Sequence, residues 1–250
     1  MSVRIFGTML VALSLLAACT PDGPVSSPTP QPSTAPTSPT PPPNPYDGLG
    51  QPTLDSELLD AATRDDGEAV TLLAAAGADI ETRDGKRRTP LLLAVTDDNL
   101  DAARALAALG ADPDASDDQQ DTPWLVTGVT GSVKMAQVLL PLDPDLKKRN
   151  RFGGISVIPA SERGHVDYVA WVVSNTDIDV NHVNDPGWTA LLEAVILGEG
   201  TSRWQQIVTI LLEHGADPSI ADKDGVTALT HARRKGFDEI AAILEAEQTS

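Results

Sequence analysis

Leu211 to Leu229 reads LLEHGADPSIADKDGVTAL. A Leu-rich helix end, Leu211-Leu212, runs into Gly215-Ala216-Asp217. A polar loop follows, and Asp222-x-x-Gly225-x-Thr227-Ala228-Leu229 then opens another helix. The same order recurs upstream. The helix openings fall at Thr89-Pro90-Leu91, Thr122-Pro123-Trp124, Ile155-Ser156-Val157, Thr189-Ala190-Leu191 and Thr227-Ala228-Leu229. Their spacing is nearly even, and only the last interval is clearly longer. Five residues before each opening stand Asp84, Asp117, Asn150, Asn184 and Asp222, always Asp or Asn.

Elementary chemistry gives each recurring position a task. Thr89, Thr122, Thr189 and Thr227 suit a helix N-cap, and Pro90 and Pro123 suit a first turn. Gly131, Gly164, Gly198 and Gly236 stand nine residues after an opening, where a first helix must turn into a second. Leu72-Leu73, Leu106, Leu139-Leu140, Val172-Val173 and Leu211-Leu212 make the second helices apolar. Gly77, Gly110 and Gly215 then end three of them as left-handed caps. Each helix pair is apolar on both flanks, so it is stable only between neighbours.

Two short helices in a unit of about 33 residues is the spacing of the ankyrin repeat. The chain resembles that family over about four-fifths of its length. The resemblance implies an all-α solenoid of helix-turn-helix repeats with β-hairpin loops, over residues 51–250. Six units are expected, at 51–83, 84–116, 117–149, 150–183, 184–221 and 222–250. Leu58-Leu59-Asp60-Ala61-Ala62, with acidic neighbours, reads as an N-terminal cap. The final unit closes on Glu245, Glu247, Gln248, Thr249 and Ser250, which suits an outer side in water. Three departures stand out. Where the family carries a His after Thr-Pro-Leu, this chain has Leu92, Leu125, Ile158, Leu192 and Thr230. Pro159 falls inside the fourth unit's first helix, tolerable only in its first turn. Extra residues around Gly198 to Trp204 lengthen the fifth unit's inter-helix loop.

The N-terminus follows different rules. Arg4 precedes an apolar run from Ile5 to Leu16, too short to span a bilayer as an ordinary helix. Leu16-Ala17-Ala18-Cys19 resembles the bacterial lipobox. That resemblance implies a signal peptide at 1–18, cleavage before Cys19 and acylation (diacylglycerol, palmitate) of the Cys19 thiol. From Thr20 to Pro45 most positions are Pro, Ser or Thr, with no apolar periodicity. Such a composition cannot bury enough apolar surface to fold, so 19–50 is read as a lipidated cysteine and disordered tether. The chain is expected on the extracytoplasmic face of a cell membrane, held by its acyl chains.

Charge and cysteine usage narrow the chemistry. With 18 basic and 36 acidic residues the net charge is −18, the opposite of a nucleic-acid footprint. One cysteine allows no internal disulfide and no multi-thiolate zinc site. No nucleophile triad, phosphate loop or calcium loop can be assembled. His165, His182, His214 and His231 sit at unrelated repeat positions and read as structural. Asp114, Asp117, Asp118 and Asp121 read as a solvated hairpin tip, not a cation site. No cofactor, metal, nucleic acid or small-molecule substrate is expected, and the chain is read as a non-enzymatic monomer.

In ankyrin proteins, contacts come mainly from hairpin tips and the inner face of the first helix. Those regions select Arg83, Lys86, Arg88, Arg149, Arg151, Phe152, Arg163, Trp188, Lys223 and Arg234 as protein-binding residues. The reading is a membrane-tethered interaction module whose concave face takes an acidic or extended protein partner of unknown identity. Neutralising a specific enzyme as an inhibitor or immunity-type protein, and serving as an accessory subunit of an envelope enzyme system, are the alternatives.

Overall fold

Residues 42–247 are described in the computed structural model of the protein, and they contain twelve α-helices. The helices come in pairs: α1 (Gln51–Thr63) with α2 (Gly67–Ala75), α3 (Pro90–Thr96) with α4 (Leu100–Ala108), and α5 (Pro123–Thr130) with α6 (Val133–Leu139). Then follow α7 (Val157–Glu162) with α8 (Val166–Asn175), α9 (Ala190–Ile196) with α10 (Ser202–Glu213), and α11 (Ala228–Lys235) with α12 (Asp238–Glu247). The odd-numbered helices stack on one another as one row and the even-numbered helices as a second. The core runs between the rows, from Leu54 and Leu58 to Ile240 and Leu244. The fold is the expected helical repeat solenoid.

The helix starts follow from the caps. Thr89, Thr122, Thr189 and Thr227 each accept a hydrogen bond from the backbone N–H three residues on. At the fourth unit Ser156 is already helical and provides no such cap. Pro159 is the third residue of α7, where its missing N–H would have had no helical partner in any case. Among the turns, Gly131, Gly164 and Gly236 are left-handed as expected. In the fifth unit that conformation moves to Gly200, because the longer loop turns later.

The loops before the odd-numbered helices are built on one device. The side-chain oxygen of Asp84 accepts the N–H groups of Lys86 and Arg88, at 2.8 and 2.9 Å. Asp117, Asn150 and Asp222 do the same for residues two and four positions on. Asn184 does so for Trp188. This Asx-type closure explains why the position is always Asp or Asn. The expected β-hairpins are thereby reduced to tight loops. Among the described residues no strand forms, and only Ala221 and Thr227 make a bridge.

Neighbouring units are tied as well as packed. Asp55, Glu81, Asp114 and Asn181 each accept the backbone N–H of the Asp that follows the next second-row helix: Asp79, Asp112, Asp145 and Asp217. Between the third and fourth units this position is Lys147, whose ammonium cannot accept, and the ladder is interrupted. The compact unit also starts before residue 51. Asn44 donates its side-chain amide to Leu72 O at 2.7 Å, and Tyr46 packs on the core, so residues expected in the tether belong to the folded part. The signal peptide and Cys19 lie outside the described residues. None of the described helices is long and apolar enough to cross a membrane.

At the junction between α5 and α7 two backbones meet closely. The backbone of Ser156 lies against Gly128, so that a Cβ there would run into the Ser156 carbonyl. Beside it Tyr168 is fully buried, its hydroxyl 2.8 Å from Thr127 Oγ1, and burial pushes its pKa up to about 12. Because both sides of the Gly128 contact are backbone, neither can yield by rotating a side chain. Gly128→Ala should therefore destabilise the domain by about 2–3 kcal/mol, read as a lower midpoint in urea unfolding.

Candidate functional site

The ten expected binding residues lie on the loops and at the ends of the odd-numbered helices, and they separate into groups. Four are engaged within the protein. Arg88 holds Asp84 through Nε and a second nitrogen, at 2.8 and 2.7 Å, a paired contact that stiffens its own loop. Arg83 bridges its loop to the next unit, donating to Arg87 O at 2.9 Å and Ser116 O at 2.7 Å. Arg151 donates to Gln119 and lies 3.8 Å from Asp121, both in the preceding loop. Lys223 donates to Asp185 O, lying across Gly187. Arg83, Arg151 and Lys223 hold successive loops in register.

Trp188 packs half-buried against the core, with its backbone N–H on Asn184, so the fold already uses much of its apolar area. Arg149 lines a different depression. This is an open cleft of about 630 Å³ between the third and fourth units, formed by the loops after α6 and α8, where the ladder is interrupted. Lys86, in a loop, and Arg163 and Arg234, at the C-terminal ends of α7 and α11, are exposed. The acidic run is less solvated than its composition implies. Asp114 is half-buried with Oδ1 lacking a partner, and burial raises the pKa of Asp114 and Asp121. All four histidines hydrogen-bond within the chain: His165 on Val129 O, His182 on Gly153 O, His214 on Ile210 O and His231 on Asp222. No group of three or more metal-ligating side chains comes together among the described residues.

Phe152 remains available. It projects from the fourth unit's loop with 54% of its surface exposed, and Arg151 lies 4.6 Å over its ring. Leu197, at the end of α9, is 47% exposed. The two line a groove of about 200 Å³ between the fourth and fifth units. Pro159, Pro186, Glu162 and Glu193 line it too. Glu193 is the residue that the sequence reading missed. It sits on α9 at 5% exposure, with Oε1 accepting from Asn184 Nδ2 at 2.8 Å. Burial, and secondarily the negative charge of Glu162, push its pKa up to about 7.

Comparison with known proteins agrees with this architecture. The family model for ankyrin repeats in three copies matches residues 58–150, 130–222 and 157–249. The chain belongs to the ankyrin repeat family. The ankyrin repeat protein YahD of Escherichia coli (strain K12) is 39% identical over 191 residues, covering 76% of this chain and 95% of YahD. The crystal structure of an ankyrin repeat domain from Acinetobacter baumannii AYE superposes with a TM-score of 0.74 at 44% identity. It covers 77% of this chain and 97% of its own. A second ankyrin repeat protein of known structure, EF0377, gives 0.73 at 38% identity, covering 76% and 97%.

In this ankyrin domain the position of Glu193 is one that other units fill differently. Its counterparts, four residues after each opening, are Leu93, Val126, Pro159 and His231. His231 makes the corresponding tie in the last unit, to Asp222 at 2.7 Å. A carboxylic acid whose folded pKa is raised binds its proton more tightly folded than unfolded. Its stabilising contribution is complete below its ordinary value of 4.5 and is lost as pH rises through about 7. Urea unfolding between about pH 5 and 8 should therefore show Glu193→Gln losing less stability with rising pH than the unaltered chain. Parallel profiles would exclude a raised Glu193.

Proposed function

We propose that this ankyrin repeat protein is an extracytoplasmic lipoprotein that binds another protein through its loop-and-first-helix face. The observation that carries the binding half is the pair Phe152 and Leu197, large apolar side chains left exposed on either side of one groove. They are the two most exposed large apolar residues among those described, and exposed aromatic anchors beside a concavity are what protein interfaces use. The mechanism is presentation of a rigid surface. Loops already fixed by Asx bonds and by Arg83, Arg151 and Lys223 lose little further freedom on binding.

The membrane half rests on Cys19 and its flanking sequence. Two or more acyl chains, at roughly 0.8 kcal/mol per buried methylene, give firm anchorage. The Pro-rich segment after Cys19 then serves as the spacer. Cys19→Ser should move the protein from the membrane to the soluble fraction and abolish metabolic labelling with palmitate. Persistent membrane association and labelling would refute the anchor.

For the binding face, a photo-crosslinker at position 197 should capture a partner that the same crosslinker at Lys134, exposed on second-row helix α6, does not. With that partner purified, Phe152→Ala should weaken binding by about 1–2 kcal/mol, roughly ten- to thirtyfold, without changing the unfolding midpoint. Equal capture from both positions would move the interface off this face.

A further inference from the structure

Glu193 has a cost that the fold does not require. Its register position is apolar in three other units, and the helix packs there without a carboxylate. A charge taken out of water is strongly unfavourable unless a counter-charge or several hydrogen bonds meet it. Glu193 has one hydrogen bond, from Asn184, and among the described residues no cation forms an ion pair with it or with Glu162. The next first-row helix on its C-terminal side is α11. Its Lys235 is committed to the carbonyl end of α9, donating to Ile196 O at 2.7 Å and to Val195 O and Gly198 O. Both carboxylates line the groove that Phe152, Pro186 and Leu197 rim with apolar surface.

An almost fully buried acid, a second acid repelling it, and an apolar rim form a complementary set. A long side chain with an apolar stem and a positive head would lay its methylenes on the rim and its charge between Glu193 and Glu162. We propose that the groove between the fourth and fifth units is the anchor pocket for a lysine or arginine side chain of the protein partner. This deepens the binding reading above and rests on it. It also reverses the charge expected of the partner at this point. Of the basic residues that suggested an acidic partner, Arg83, Arg88, Arg151 and Lys223 are engaged within the protein, whereas the groove is lined by Glu162 and Glu193.

The probe is a set of acetylated, amidated pentapeptides, Ala-Leu-Xaa-Leu-Ala, with Xaa as Lys, Arg, norleucine or Glu, titrated against the full chain by calorimetry. The Lys or Arg peptide should bind roughly tenfold more tightly than the norleucine peptide, and the Glu peptide most weakly. Glu193→Gln should abolish the preference. Glu162→Gln, at a partly exposed position that the core does not depend on, should reduce it even if Glu193→Gln were to disturb folding. Phe152→Ala should weaken all the peptides alike and preserve the ranking. Equal affinity for the Lys and norleucine peptides, or no measurable binding of any peptide, would overturn the proposal. So would a partner crosslinked at position 197 whose recovery is unchanged by both Glu→Gln substitutions. That last result would leave the protein-binding reading standing and remove only the cationic anchor.

Discussion

Everything in this domain depends on the burial of one helix pair against the next. A pair such as α5 and α6 has apolar residues on both flanks, and alone it would expose Trp124, Leu125, Met135 and Leu139, all essentially inaccessible in the stack. At roughly 1.5–3 kcal/mol for each large side chain, no single pair retains enough stability without a neighbour. Stability is therefore a property of junctions, and the junctions differ. Between α5 and α7 two backbones meet at Gly128 and Ser156. Between the fourth and fifth units Trp204 of α10 reaches the end of α7, with its indole N–H on Glu162 O at 3.1 Å. Between the third and fourth units the second-row ladder is interrupted at Lys147, and an open cleft lies there.

The stack fixes the helices, but the loops need their own restraint, which comes from charged and amide side chains. One Asp or Asn closes each loop on itself, and long cations from neighbouring units then link one loop to another. Lys235 performs a related task at the carbonyl end of α9, where a positive charge meets unpaired carbonyls. Two of the loop closures use a left-handed residue that is not glycine, Arg87 and Gln120, while Gly153, Gly187 and Gly225 fill the same place elsewhere. The closure is thus strong enough to hold ordinary residues in that conformation. Such a face is organised before any partner arrives.

Much of this was legible in the sequence, because the fold is written in positions that repeat. The Thr caps, the Asx loop closures, the first-turn place of Pro159 and the lengthened fifth unit all follow from register and simple stereochemistry. The site was less legible. Arg88, Arg151 and Lys223 share a composition with binding residues, and only the fold reveals that they are already engaged within the protein. Trp188 is among the expected binding residues, yet it folds back against the core. Repetition also hid Glu193, since a glutamate on a helix carries no signal by itself. The signal lay in the alignment of units, where a carboxylate stands in a column that also holds Leu93, Val126 and Pro159.

That contrast separates two kinds of departure from the repeat. Some are compensated inside the unit that carries them: the missing cap at Ser156 goes with a proline placed where no amide is needed, and the late turn of the fifth unit uses Gly200. Glu193 is not compensated in this way. Its single hydrogen bond from Asn184 leaves a buried acid facing another acid, and holding its proton is the relief the fold offers it. His231, at the same register, shows what full compensation resembles, because Asp222 pairs with it inside one unit. A position that is satisfied in one repeat and left wanting in another, on the face where Phe152 and Leu197 are also left uncovered, has the energetic form of a site completed from outside. The repeat supplies the surface, and the function is to be sought where the repeat is locally unfavourable.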